Sequence, residues 1–235
     1  MASVSRRSLL IGAVAMTAEA EQLNPVVRAL DHLLLGVNDL DRGIAWVEQR
    51  IGVKAVIGGS HPGVGTRNAL LSLGSSHYLE IIAPDPAQSA YNSHIDVRPF
   101  TEPRLVNFAA SSADLDAVAA AARKAGHGVF GPNNGARKLP SGETLRWRTL
   151  AVVTKLASGG IEPVPFFINW EPGTPHPSTT SPKGCEIESL AFQHPDPSAL
   201  SSALETLGLK ATVSKSERAR IVARLKTPKG IVELS

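Results

Sequence analysis

Leu30-Asp31-His32-Leu33-Leu34-Leu35-Gly36-Val37 runs into Asn38-Asp39-Leu40-Asp41, and 75 residues further on Leu105-Val106-Asn107-Phe108 leads in the same way to Asp114-Leu115-Asp116. Each copy reads as an apolar strand followed by an acidic helix entry, and a repeat of this kind decides architecture before any detail does. In the first copy a helix is expected over residues 40–51, where Ile44, Val47 and Ile51 recur at three- and four-residue spacing and Trp46 widens the apolar face. Gly52 ends it. In the second copy the helix covers residues 115–125 and stops at Gly126. Three short strands follow each helix: 53–57, 66–73 and 77–83 in the first copy, then 129–130, 144–153 and 164–170 in the second. The glycine-rich stretch 58–65 reads as a hairpin or rim loop, because no Gly-Lys-Ser/Thr follows to make a phosphate loop. A third, shorter copy has a strand at 187–192, a helix at 198–207 ended by Gly208, and strands at 211–214, 220–226 and 231–234. The expected fold class is α+β, with paired βαβββ modules over residues 29–172 and a third βαβββ-like module over 185–235 packed on them.

With 235 residues, 43% hydrophobic and 19% charged, the chain can bury a sizeable core and is not disordered. The net charge of +3 comes without a basic block, so no nucleic-acid partner is expected. Cys185 is the sole cysteine, which excludes an internal disulfide and a cysteine-based zinc cluster. Ser5-Arg6-Arg7-Ser8-Leu9-Leu10, the apolar run after it and Ala18-Glu19-Ala20 match a twin-arginine export signal over residues 1–20 with a small-residue cleavage site. That run is too short to remain as a membrane span. The expected location is periplasmic or secreted from a bacterium, with a cytoplasmic protein as the alternative if residues 1–20 are not a signal.

Two ionisable groups interrupt apolar strands. His32 lies in the first, and Glu80 lies within Tyr78-Leu79-Glu80-Ile81-Ile82; each is costly to bury without a partner. An imidazole and a carboxylate on two strands of one small sheet make half of a metal site. Arg67 and Asn68 follow the glycine turn, where they either hold a substrate carboxylate or line the rim. Arg67 is also the structural partner expected for Glu80 if no ligand is involved. Strand alternation puts Arg146 and Arg148 together on one face and Trp147 on the other. Facing inward, the two arginines offer forked donors to a ligand carboxylate or enediolate; facing outward, they are solvated. Tyr78 and Glu80 share a face that His77 does not. His94, His127, His176 and His194 fall in or beside loops, where exposure is expected.

The order of these stretches, with His61-Pro62-Gly63-Val64-Gly65-Thr66-Arg67-Asn68, Leu145-Arg146-Trp147-Arg148 and Pro165-Phe166-Phe167-Ile168, resembles the vicinal oxygen chelate superfamily, glyoxalase-like domain branch, from about residue 29 to 207. The resemblance implies a cup formed by two curled sheets that holds a divalent metal, with ligands from the first and last strand of each module. Carried over, these are His32 and Glu80 from the first module and Asn107 and Asn169 from the second. The two amides are weak neutral donors, and His61 or His77 can complete the site if the loop or strand geometry allows, His77 being the weaker candidate because it faces away from Glu80. Three functions follow as expectations. The first is an enzyme in which a divalent ion at His32 and Glu80 polarises adjacent ligand oxygens, with Glu80 itself the catalytic base where no metal is present and His61, Arg67, Asn68, Asn107, Arg146, Arg148 and Asn169 binding substrate. The second is a protein that sequesters a small ligand without turnover. The third is a scaffold whose third module makes a homodimer contact.

Overall fold

The computed structural model describes residues 25–138 and 142–235, so the expected export signal lies outside the described residues. A short helix α1 (Pro25–Ala29) leads into the first module: β1 (Leu30–Gly36), α2 (Leu40–Ile51), β2 (Val56–His61), β3 (Thr66–Ser72) and β4 (Tyr78–Pro84). The second module repeats it as β5 (Arg104–Ser111), α3 (Leu115–Lys124), β6 (Gly128–Lys138), β7 (Thr144–Val153) and β8 (Phe166–Trp170). The chain then passes through α4 (Pro177–Thr180) to β9 (Glu186–His194), α5 (Pro197–Thr206), β10 (Thr212–Lys215), β11 (Arg220–Thr227) and β12 (Gly230–Leu234). Asp39, Asp114 and Asp196 each cap a helix by accepting the backbone N–H three residues on. The acidic entries of the repeat are therefore helix caps. Among the described residues no helix is long and apolar enough to cross a membrane.

The two modules share one eight-stranded sheet in the order β2-β3-β4-β1-β5-β8-β7-β6. Within each module the first strand pairs in parallel with the last, β1 with β4 and β5 with β8, and β1 and β5 join the halves antiparallel. This is the expected pair of βαβββ modules forming a curled cup, related by an approximate two-fold between β1 and β5. The third unit keeps the βαβββ element order but pairs differently. Its separate four-stranded sheet runs β10-β9-β11-β12, so the first strand pairs in parallel with the second rather than the fourth. Backbone bonds from Ser72 N to Pro182 O and from Ile187 N to Leu73 O stitch it to the first module. Phe192 packs on Phe108 of β5, and buried side chains from both sheets and four helices form one continuous core, with Leu34 and Val106 in a second, smaller cluster beside Val97 and Phe100.

Two strands depart from expectation. β2 extends through Gly58 and Gly59 to His61, where a turn was expected, and β6 covers eleven residues instead of two. Pro132 and Asn133-Asn134-Gly135 carry turn chemistry, yet the strand continues through them with a register shift between Phe130 and Asn133. Both changes bear directly on the site.

Candidate functional site

The concave side of the large sheet encloses a cavity of about 930 Å³ that reaches both modules. Strand alternation selects what faces it. From β1 come His32 and Leu34, from β3 Thr66, Asn68 and Leu70, and from β4 Tyr78, Glu80 and Ile82. From the second module come Asn107, Arg137, Trp147, Thr149, Phe166, Ile168 and Trp170.

Glu80 is the centre of the polar floor. It is 8% exposed, and its Oε2 lies 3.3 Å from His32 Nε2 while Oε1 accepts from Asn68 Nδ2 at 2.7 Å. His61 Nε2 stands 3.6 Å from the same Oε1, with its Nδ1 at 2.8 Å from Thr66 Oγ1. Asn68 is fixed from both ends, because its Oδ1 accepts from Arg137 Nη1 at 2.7 Å. That bond crosses from β3 to β6 and ties the two rims of the cup together. Gly58 makes room for it, since a Cβ there would lie 2.3 Å from Asn68 Oδ1 and 2.7 Å from Arg137 Nη1.

Behind His32 lies a second buried group. Asp31, 1% exposed, sits where the β1–β5 register shifts between Leu30 and His32, which turns its carboxylate toward its neighbour. Its Oδ1 is 2.7 Å from His32 Nδ1, and its Oδ2 accepts from Trp170 Nε1 at 2.9 Å and Ser111 Oγ at 3.1 Å, with His176 Nε2 at 3.2 Å. Tyr78 stacks on the His32 ring at 4.4 Å between centroids. A carboxylate on the far nitrogen of an imidazole fixes the rotation of its ring.

These contacts set the charges. Burial alone would depress the pKa of His32, but the hydrogen bonds and charges of Asp31 and Glu80 outweigh it and hold the value up at about 9. Burial would raise Glu80, but the His32 hydrogen bond, the charges of His61 and His32 and the Asn68 amide bring it down to about 2. Asp31, although buried, is held below the usual carboxylate range by its His176 and His32 partners. Burial lowers the pKa of His61, the pull of Glu80 offsetting only part of it and Arg137 adding to the fall. At neutral pH the floor is thus an imidazolium between two carboxylates, with a neutral imidazole beside them.

His32, Glu80, His61, Asn68 and Asn107 are brought together on this surface, and the remaining candidates are not. Arg146 and Arg148 are exposed on the outer face of β7, while Trp147 and Thr149 point inward. Arg67 lies on the opposite face of β3 from Asn68 and is not the partner of Glu80. Asn169 is one residue out of phase, its Nδ2 donating to Ala113 O outside the cup, so Ile168 and Trp170 face inward in its place. Asn107 lines the cavity, but its Oδ1 is taken by the Phe108 N–H at 2.6 Å. His176 is half-buried against Asp31 rather than exposed, and His194 is buried, its Nε2 lying 3.0 Å from Leu156 O. Asp31, Arg137 and His176 are additions the sequence reading did not make. Asp31 alone carried a signal, as a second charge inside the apolar run beside His32.

The donor set does not fit the expected divalent ion. Among the described residues no group of three or more His, Cys, Asp and Glu is arranged to hold one. The second module offers only an engaged amide and the apolar Ile168. Between the Glu80 and His61 donors sits the Asn68 N–H, with the Arg137 guanidinium behind it, so the cationic place beside the carboxylate is already filled by protein. His32 and Glu80 do meet as expected, but as an ion pair.

A model of the glyoxalase-like domain matches residues 30–208. Among solved structures, a hypothetical protein from Staphylococcus aureus is 18% identical, with a TM-score of 0.64 over 83% of this chain and 90% of that one. Methylmalonyl-CoA epimerase from Mycobacterium tuberculosis is 26% identical over 64% of this chain and 91% of its own, with a TM-score of 0.41. A variant of the Streptomyces coelicolor epimerase, in complex with 2-nitronate-propionyl-CoA, is 20% identical over 62% and 96%, with a TM-score of 0.43. No curated protein matches the chain. Two βαβββ modules sharing one curled sheet, and a family model that covers both of them together with β9 and α5, have one reading: the chain belongs to the glyoxalase-like domain family.

Proposed function

We propose that the cup binds and transforms a small oxygen-bearing molecule by moving a proton at a carbon beside a carbonyl, without a metal ion. The observation that carries this reading is the pairing of two groups with opposed ionisation at the floor: Glu80, ionised, and His61, neutral, 3.6 Å apart. Both pKa values are shifted down, Glu80 by partners that outweigh its burial and His61 by burial, and perturbed groups facing one cavity are a mark of acid–base work. His61 takes the proton, since a carboxylate with a pKa near 2 is a weak base. Glu80 stabilises the imidazolium formed and accepts a hydrogen bond from a ligand hydroxyl or enol. The fixed His32 imidazolium keeps Glu80 in place, and Asp31 keeps His32 in place.

The test is exchange of the carbon-bound proton in deuterated water, followed by NMR over a panel of 2-oxo and 2-hydroxy acids. Exchange is expected with the wild-type protein and slows by roughly a hundredfold or more in His61→Ala, as loss of a positioned base requires. Exchange at the same rate in His61→Ala and in Glu80→Gln would end the proposal. A panel member that raises the melting temperature without exchanging would instead support the sequestering reading, which the engaged amide of Asn107 favours. Loss of periplasmic accumulation in an Arg6→Lys, Arg7→Lys double variant is the corresponding check on export, which we propose on the Ser5–Leu10 pattern.

A further inference from the structure

Among the residues lining the cup, Arg137 is the only arginine or lysine. It is 8% exposed, yet no carboxylate of the described residues forms an ion pair with it. One of its donors reaches Asn68 Oδ1, and its buried Nε has no hydrogen-bond partner. A guanidinium taken out of water without a facing anion is a costly arrangement. It is a sensible one where the anion arrives from outside, because a planar fork of donors suits a carboxylate. The walls toward the mouth are of the opposite kind: Phe130 is 69% exposed, and Val64 and Val153 beside the same cavity are 37% and 44% exposed. Apolar side chains left this open along a cavity wall fit the body of an apolar ligand.

We infer that Arg137 is an anion subsite of the cup, and that the molecule bound is a small organic acid whose carboxylate meets Arg137 and whose apolar body lies along Phe130. This rests on the reading of the cup as a small-molecule site and adds the class of molecule. The rival role for Arg137 is a strut that holds β6 to β3 through Asn68.

The experiment uses the wild-type protein and a matched pair of probes, 3-phenylpropionate and its neutral amide, 3-phenylpropanamide, at pH 7. Binding is read from tryptophan fluorescence, since Trp147 and Trp170 both line the cavity. The acid is expected to bind at least about tenfold more tightly than the amide, the usual margin of one charge-assisted contact. In Arg137→Gln the two should bind within about twofold of each other, in Arg137→Lys part of the preference should return, and in Glu80→Gln it should persist. The ligand-free Arg137→Gln protein should melt at or above the wild-type temperature, because a buried unpaired charge has been removed. Equal binding of acid and amide, absence of saturable binding of the acid, a preference that survives in Arg137→Gln, or a lower melting temperature for that variant would each overturn the inference. The two proposals fail separately. If proton transfer at His61 is wrong, exchange is absent while the acid preference stands; if the anion subsite is wrong, the preference is absent while exchange stands.

Discussion

The two modules have the same strand order and the same capped helix, yet only one carries ionisable floor chemistry. At the position of His32 the second module has Asn107, whose oxygen is spent on its own backbone, and facing inward from its last strand are Ile168 and Trp170 rather than a carboxylate. Its contribution is a largely apolar wall, the Glu162 carboxylate paired with His94 away from the Glu80 floor and, from the far strand, one guanidinium. The sheet is therefore symmetric in hydrogen bonding and asymmetric in charge. Backbone pairing sets the cup, and a few side chains on one half set what it does.

That contrast can be broken at several levels. The largest effect is expected from deleting residues 185–235, which belong to neither module but cover the core they share. Ile187, Leu190, Phe192, Ile221 and Leu225 are buried in it, and their partners would face water. The shortened chain should be aggregated or unfolded by circular dichroism and size-exclusion chromatography; a well-folded product would show that the modules suffice. Next comes the paired substitution Glu80→Ala and Asn107→Ala. The first leaves a buried imidazolium with one partner fewer and should cost about 3 kcal/mol in urea unfolding. The second frees only a neighbouring backbone N–H and should cost about 1 kcal/mol or less. Equal costs would mean that the charge asymmetry has no energetic weight.

The pH dependence of stability sharpens the same point. The folded pKa of His32 is raised from 6.5 to about 9, so its contribution is whole below about pH 6.5 and fades as the pH rises through 9. Glu80 is lowered from 4.5 to about 2, so its contribution is whole above about pH 4.5 and fades toward pH 2. Urea midpoints should therefore be flat between these limits and lower at pH 9.5 than at pH 5.5, and the alkaline loss should shrink in His32→Asn. An undiminished loss in that variant would assign it elsewhere. Gly58→Ala should lower the melting temperature and weaken the acid preference together, because its new methyl displaces the buried Arg137–Asn68 bond that ties the rims. The smallest effect is expected from Arg146→Ala with Arg148→Ala: exposed on the outer face, they should shift stability by no more than about 0.5 kcal/mol and leave probe binding unchanged.

The repeat, the helix caps and the meeting of His32 with Glu80 were legible in the sequence, because apolar periodicity and an acid inside an apolar strand have few alternative explanations. What was not legible has a common cause in strand phase and strand length. Asn169 is carried over as the last-strand ligand of the second module, and a shift of one residue reverses the face. Arg146 and Arg148 alternate with Trp147 as expected, but alternation says nothing of which set faces in. Arg137 lay in a stretch with Pro132 and Asn133-Asn134-Gly135, residues that argue for a turn, and a strand that persists through them cannot be read from composition. Asp31 needed the irregular pairing beside it, which only the paired β5 reveals.

The doubly held amide of Asn68 has one more consequence. Its nitrogen end is committed to a negative group and its oxygen end to a positive one, so the carboxamide cannot turn over. The cavity therefore has a fixed head and tail, and a guest carrying both an anionic and a hydroxyl end can enter in one sense only. Its mirror image, seated at the same two ends, would present the opposite face of the carbon between them to His61. On the proposed proton transfer, handedness would follow from a neutral side chain that moves no proton itself.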